Sequence, residues 1–381
     1  MKTAAIIAEY NPFHNGHAYQ IEQIKKILPE KTAVIAVMSG SLVQRGELAL
    51  ISKYERARAA VMCGVDAVFE LPSVYSCAPA NLFAAAAVHI ISALGEVDYL
   101  CFGSETADIE LLYSAAEKSG DIELGGVYRD KSYPAGFYEA FKDLYGEKQA
   151  RVFKGSNDIL GVEYICALKK TNSGITPLAV KRMGSDYITS AGAIRERIYN
   201  RDFSGLKNFM PEKSFEILES LFENGKIADI ENISAAVISH INRLDTDEIA
   251  RFAEVRGGFE FKIKKICENS FDYGSLITNL ASKHLTNSQT RRMVLNIFFG
   301  ITRGEQKKTP EFTNLLCING AGQEYLNKIK KTAKIKIISR PADFMQEPEF
   351  CRNIFIDNIY KLAYQNKSGE ICAVKEKPVI L

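Results

Sequence analysis

At 381 residues the chain exceeds what one hydrophobic core usually organises, so two domains are expected. Hydrophobic residues at 46% and charged residues at 25% match a soluble globular protein, and a net charge of +2 singles out no class of partner. Eight scattered cysteines without a CxxC pair argue against a disulfide framework or a metal centre. No run reaches the roughly 18 apolar residues of a membrane span and no leader-like segment opens the chain, so a cytoplasmic protein without membrane contact is expected.

Thr3–Ala8 is a short apolar run that predicts a strand, and His17–Leu28 repeats Ile21, Ile24 and Ile27 at helical spacing. Thr32–Met38 is a second β-branched run ending at Ser39-Gly40. Lys53–Met62 then predicts a helix, Ala67–Glu70 a strand ending at Pro72, Asn81–Leu94 an Ala-rich helix, and Val97–Gly103 another strand. Strands separated by helices and ending in Gly or Ser imply a doubly wound parallel sheet of Rossmann type, with ligands at the carboxyl ends of its strands. From Ile194 onward Arg195–Asn200, Glu212–Glu223, Ile233–His240, Thr246–Ala253, Lys262–Ser270 and Arg291–Phe299 predict helices, with one strand at Ile335–Ser339. The expected division lies near Asp202–Gly205: an α/β catalytic domain over 1–203 and a mainly helical domain over 204–381. Residues 1–200 carry 21 Lys and Arg against 23 Asp and Glu, and residues 201–381 carry 27 against 23, so the second half is mildly basic.

The first strand runs into Glu9-Tyr10-Asn11-Pro12-Phe13-His14-Asn15-Gly16-His17, where a helix opens. A strand–turn–helix crossing presents free backbone N–H groups and a positive dipole end at one place, a ready anion site. Two histidines there can donate to phosphate oxygens as charge develops on them, and Gly16 removes a side chain where backbone approaches a ligand. The plain alternative for the histidines is a helix-capping pair.

His14-x-Gly16-His17 after a first strand resembles the HxGH nucleotidyltransferase superfamily. The longer string Ile7-Ala8-Glu9-Tyr10-Asn11-Pro12-Phe13-His14-Asn15-Gly16-His17 is narrower and resembles the bacterial tRNA(Met) cytidine acetate ligase family. Further matches are Val37-Met38-Ser39-Gly40, Gln44-Arg45-Gly46-Glu47, Glu70-Leu71-Pro72, Phe102-Gly103-Ser104-Glu105, Ser156-Asn157-Asp158-Ile159-Leu160-Gly161 and Ser185-Asp186-Tyr187. Weaker matches follow at Arg291-Arg292-Met293 and Leu326–Lys331.

The resemblance implies a two-step reaction. Acetate attacks the α-phosphorus of ATP to give acetyl-adenylate, and the wobble cytidine of elongator tRNA(Met) then takes the acetyl group on N4. It implies His14 and His17 as the catalytic pair, and ATP contacts along Ile7–Gln20, which adds Ala18, Tyr19 and Gln20, and at Gly103, Asn157 and Arg182. Gly103 ends a predicted strand, Asn157 offers donor and acceptors for a base or ribose, and Arg182 can neutralise phosphate. Their plain alternatives are a turn glycine, a helix cap and a surface arginine. Ser190 and Arg195, at the start of the last helix of this domain, are candidates for the β- and γ-phosphates; Ala193 stands where the superfamily more often has a hydroxyl, and the loop Asp186–Thr189 is short. Mg²⁺ is expected only as the counterion of ATP.

Lys53 and Arg45 stand after the second strand and suit either an anionic substrate or a solvated surface. Glu70 and Glu105 are too isolated to assign as a general base. Lys328, Lys330, Lys331, Lys334, Lys336 and Arg340 form an acid-free run suited to RNA phosphates, and Arg291, Arg292, Lys262, Lys264 and Lys265 would extend it if they share its face. His89, His240 and His284 have no metal-like spacing, and His89 is expected to be buried. Two other functions fit part of this pattern: a small-molecule adenylyltransferase, which shares the HxGH site but has no use for a basic second half, and a non-catalytic nucleotide- or RNA-binding protein, against which both intact histidines speak.

Overall fold

The computed structural model describes residues 2–122, 133–183, 190–282, 285–369 and 372–381. Ser185-Asp186-Tyr187, the loop Asp186–Thr189 and His284 lie outside the described residues. Ten strands are present among those described: β1 Lys2–Ala8, β2 Thr32–Ser39, β3 Leu42–Val43, β4 Glu47–Leu48, β5 Ala67–Leu71, β6 Tyr99–Ser104, β7 Thr176–Lys181, β8 Phe312–Ile318, β9 Lys336–Ile338 and β10 Val379–Ile380. Eight of them form one sheet in the order β10-β8-β5-β2-β1-β6-β7, with β9 also paired to β8, while β3 and β4 make a separate hairpin.

β1, β2, β5, β6 and β7 run parallel, as the alternation of strands and helices predicts. Their residues are apolar on both faces because helices cover both. Ala4, Ile6, Val34, Ala36 and Met38 point to one side, where they pack with Ile21, Ile24, Ala57 and Ala60 of the helices Asn15–Ile27 and Lys53–Met62. Ala5, Ile35, Val37, Leu100 and Phe102 point to the other, against the helices Ala80–Leu94 and Ser156–Thr171.

The chain builds β1, β2 and β5 outward in one direction, then returns to lay β6 and β7 on the opposite side of β1. The strand order therefore reverses between β1 and β6, and a crevice opens there at the carboxyl ends. β1 ends at Ala8 and β6 at Ser104, so the signature loop and Gly103 are brought to the same crevice.

Residues 204–381 are mainly helical, but their contribution to the sheet exceeds the one strand expected at Ile335–Ser339. β8, a fully buried run, pairs antiparallel with β5, and β9 and β10 pair with β8. The sheet itself thus crosses the expected boundary at Asp202–Gly205. No helix among the described residues is long and apolar enough to cross a membrane.

Candidate active site

β1 leaves the sheet through Glu9 and Tyr10, the latter at φ +46°, a left-handed conformation that costs a residue with a side chain and persists only under tight packing. The packing is present: the buried Tyr10 ring lies 4.9 Å from Phe13 and 4.9 Å, edge-on, from His17. The loop is pinned by its own polar atoms. Asn11 Oδ1 accepts from Leu50 N at 2.7 Å, Asn15 N donates to Phe209 O at 2.9 Å, and Ser214 Oγ donates to Phe13 O at 2.8 Å. Asn11, Phe13 and Asn15 therefore shape the site, while Ala18, Tyr19 and Gln20 sit half-buried on the helix behind it.

The two histidines cap the helix Asn15–Ile27 reciprocally. His14 Nδ1 accepts from Gly16 N at 3.0 Å, and His17 Nδ1 accepts from His14 N at 3.1 Å. An Nδ1 that accepts carries no proton, so each neutral ring holds its proton on Nε2. Neither Nε2 finds a protein partner among the described residues. Capping and phosphate binding are thus compatible rather than rival roles: one nitrogen builds the helix start and the other remains a donor. The rings stack with centroids 3.8 Å apart, a distance at which two charges repel strongly. Burial, with the charges of Arg182 and Arg195, lowers His14 to about 4, and burial, His14 and Arg182 lower His17 well below the usual imidazole range.

Gly16 has a different reason from the close ligand approach expected for it. A Cβ there would stand 2.8 Å from His14 Cε1, so glycine makes room for the capping ring. Gly103 likewise accommodates Arg182, whose Cγ would be 3.3 Å from an added Cβ. Arg182 N donates to Ser104 O at 3.1 Å, which holds the arginine beside β6. Its exposed guanidinium has no ion-pair partner among the described residues and lies close enough to influence both histidines.

Asn157 stands in the first turn of the helix Ser156–Thr171. Its N and Nδ2 both donate to Glu105 Oε1, at 3.3 and 2.7 Å, and Asp158 N donates to Glu105 Oε2 at 2.8 Å. Asp158 in return accepts from Ser104 Oγ, Glu105 N and Thr106 N. Two separated motifs, Phe102–Glu105 and Ser156–Gly161, therefore lock onto each other beside the crevice. Glu105 serves there as a helix cap.

Ser190 caps the helix Ala191–Tyr199, accepting from Ala193 N at 3.2 Å. Arg195, a candidate phosphate ligand, is engaged: it donates to Asn11 O and to Glu47 Oε2, both at 2.8 Å. Glu47 also receives Arg291, and Arg292 is buried, clamped on Glu254 and on Gln44 O. Arg291 and Arg292 thus hold the β3–β4 hairpin and are not a free basic patch. Lys262 and Lys264 donate to carbonyls at Leu280 and Leu244. Of the lysine run, Lys328 pairs with Glu96, whereas Lys330 and Lys331 are exposed. Lys334 lines an open groove of about 780 Å³ with Lys307, Lys308 and Lys336. His89 is half-buried at the same groove rather than buried in the core.

Sequence reasoning missed the largest buried charge cluster. Lys53 is neither a ligand-facing nor a surface cation: Nζ is buried between Glu70 Oε2 at 2.8 Å and Asp357 Oδ2 at 2.6 Å. Burial opposes its charge, but Asp357 and Glu70 outweigh that and hold it protonated. Arg56, one turn on, donates to the carbonyls of Glu9, Ser39, Gly40 and Ile51. The available signal was two cations at i and i+3 on the helix face that also carries Ala57 and Ala60.

A family model described as HIGH Nucleotidyl Transferase matches residues 1–373. The chain is 32% identical to the tRNA(Met) cytidine acetate ligase of Acetivibrio thermocellus, covering 96% of each. With the enzyme of that name from Lysinibacillus sphaericus it shares 35% identity over 90% of each. The chain belongs to the HIGH nucleotidyl transferases and, within them, to the tRNA(Met) cytidine acetate ligase family. Its fold is similar to that of Thermotoga maritima TmcAL, solved with alpha-thio ATP, at a TM-score of 0.91, 28% identity and full coverage of both chains. The apo form of that protein gives 0.90.

Proposed function

We propose that the protein is an ATP-dependent tRNA acetate ligase, which joins acetate to N4 of the wobble cytidine of elongator tRNA(Met) through acetyl-adenylate. The observation that carries this reading is the pair of neutral, stacked histidines whose Nδ1 atoms are spent on the helix start and whose Nε2–H groups are free to donate. An acetate oxygen attacks the α-phosphorus, the bond to pyrophosphate breaks, and negative charge gathers on oxygens that His14 and His17 stabilise as fixed donors. The cytidine amine then attacks the acetyl carbon, AMP leaves with the bonding electrons, and the nitrogen loses one proton.

Ile7–Gln20, Gly103, Asn157 and Arg182 form the ATP site in this reading, with Arg182 a cation that has no ion-pair partner among the described residues. Ser190 keeps a hydroxyl proton to offer a phosphate, while Arg195 acts through the loop it holds. Nearby carboxylates are committed to the chain itself, Glu9 to Gln44 N, Glu47 to two arginines and Glu105 to a helix start. That donor set suits a magnesium ion carried by the triphosphate better than one held by the protein. For tRNA, Lys330, Lys331, Lys334 and Arg340 are exposed members of the basic run without an ion-pair partner among the described residues.

The test is ATP–pyrophosphate exchange with and without acetate, followed by transfer of labelled acetate to tRNA. Exchange should require acetate and label should reach tRNA; acetate-independent exchange would sink the ligase and leave an adenylyltransferase with another substrate. Raising salt should weaken transfer to tRNA far more than exchange, because only transfer rests on many phosphate contacts.

A further inference from the structure

The β3–β4 hairpin follows β2 directly and reaches from the nucleotide crevice to the C-terminal half. Its backbone is held from both sides: Gln44 N donates to Glu9 Oε1 at 2.8 Å, and Gln44 O accepts from Arg292 at 3.1 Å. The turn itself allows no slack. Gly46 sits at φ +73°, and a Cβ on it would lie 2.4 Å from Arg292 N. The hairpin tip is therefore seated on the helix Asn287–Phe298 through backbone contact that only glycine permits.

Four arginines gather on this hairpin and the strand ends beside it, and every one is engaged. Arg56 holds four carbonyls, Arg195 holds Asn11 O and Glu47, Arg291 holds Glu47, and Arg292 holds Glu254 and Gln44 O. Arg45, at the immobilised tip, is the exception. It is exposed and has no carboxylate or carbonyl partner among the described residues, although the Glu47 carboxylate is two residues away. Burial pushes the Glu9 carboxyl up while Gln44 N–H, Arg195 and Arg45 pull it down, so the charge of Arg45 is felt at the end of β1, where the signature loop begins.

A surface arginine on a flexible loop needs no explanation. One fixed on a glycine turn by contacts from both halves of the chain, beside four arginines that are all satisfied, is held ready for an anion. We propose that Arg45 is a substrate phosphate ligand, receiving either the triphosphate of ATP or a backbone phosphate of the tRNA. A guanidinium offers paired donors in a plane that matches two phosphate oxygens, and a pre-positioned one loses little entropy on binding. The tRNA alternative rests on the ligase reading above; the ATP alternative requires only the nucleotide site.

The experiment uses the full chain with Arg45→Ala and Arg45→Lys. ATP and acetate are titrated in the exchange reaction and tRNA in the transfer reaction. Equilibrium binding of ATP and of unmodified tRNA transcript is measured alongside. Arg45→Ala should raise the KM and Kd of one phosphate-bearing substrate at least about tenfold, and Arg45→Lys should recover part of the loss. The substrate that responds identifies the phosphate. ATP and tRNA values both within twofold of wild type, or a rise for acetate alone, would overturn the proposal. A wild-type protein that binds ATP but never labels tRNA would overturn the ligase reading instead, and the binding measurements would still decide on Arg45.

Discussion

Two regions at the carboxyl ends of the strands concentrate ionisable side chains, and they are built on opposite principles. At β1, His14 and His17 each spend one nitrogen on the helix start and leave the other without a partner among the described residues, in half-buried positions. At β5, Lys53, Glu70 and Asp357 are fully buried and use everything on one another and on their neighbours. Glu70 alone accepts from Lys53, Asn314 and Asn353, and Asp357 from Lys53 and Ser41. Saturation makes the second cluster an anchor. It ties the helix Pro348–Lys361 to the sheet, where incomplete satisfaction at the first leaves donors for a ligand.

That contrast breaks most readily at Lys53. Lys53→Met leaves two buried carboxylates without their cation, so it should cost about 3–5 kcal/mol of stability, read from denaturant unfolding. A loss under about 1 kcal/mol would mean the cluster is not the anchor its burial suggests. The histidines should behave in reverse. His14→Ala or His17→Ala removes a cap worth about 0.5–2 kcal/mol of stability, yet should lower kcat of exchange about 10²–10³-fold by deleting a transition-state donor. Full exchange activity in either variant would remove the histidines from the mechanism.

Legibility in the sequence follows the range of the contacts involved. Strand–helix alternation and the His14-x-Gly16-His17 string are local, so they could be read directly, and β9 appears where a short β-branched run predicts it. β8 was invisible for a physical reason. Its first half carries Thr313 and Asn314, which look unlike a core strand until Glu70 is seen accepting from both. Lys53 was misjudged because a lysine in a helix is normally solvated, and its partner Asp357 lies 304 residues away. Gly16 was recognised as special, but its cause, the ring of His14, belongs to rotamer geometry that a sequence does not state. Arg195 lies in the middle of the helix that Ser190 caps rather than at its start, and its commitment to Glu47 depends on a hairpin that no local pattern announces.

The smallest effect is the most direct check on the protonation state of the site. An unfolded imidazole titrates near pH 6.5, while folded His14 is lowered to about 4 and His17 is lowered well below the usual range. Between pH 6.5 and about 4 the unfolded chain therefore binds protons that the folded chain refuses, and stability rises with pH across that window. The sign is fixed: acidification from pH 7 to 5 should destabilise the protein by about 1–2 kcal/mol per histidine, and alkalinisation above pH 7 should leave this contribution unchanged. Urea unfolding at pH 5, 6 and 7 measures the slope, which should be shallower in His14→Ala and shallower again in the double variant. Arg182→Gln removes a positive charge that disfavours both imidazolium forms, so it should also flatten the slope, by less than either alanine. Equal slopes in wild type and double variant would show that the histidines titrate normally in the folded protein, and the neutral Nε2–H donors would lose their basis.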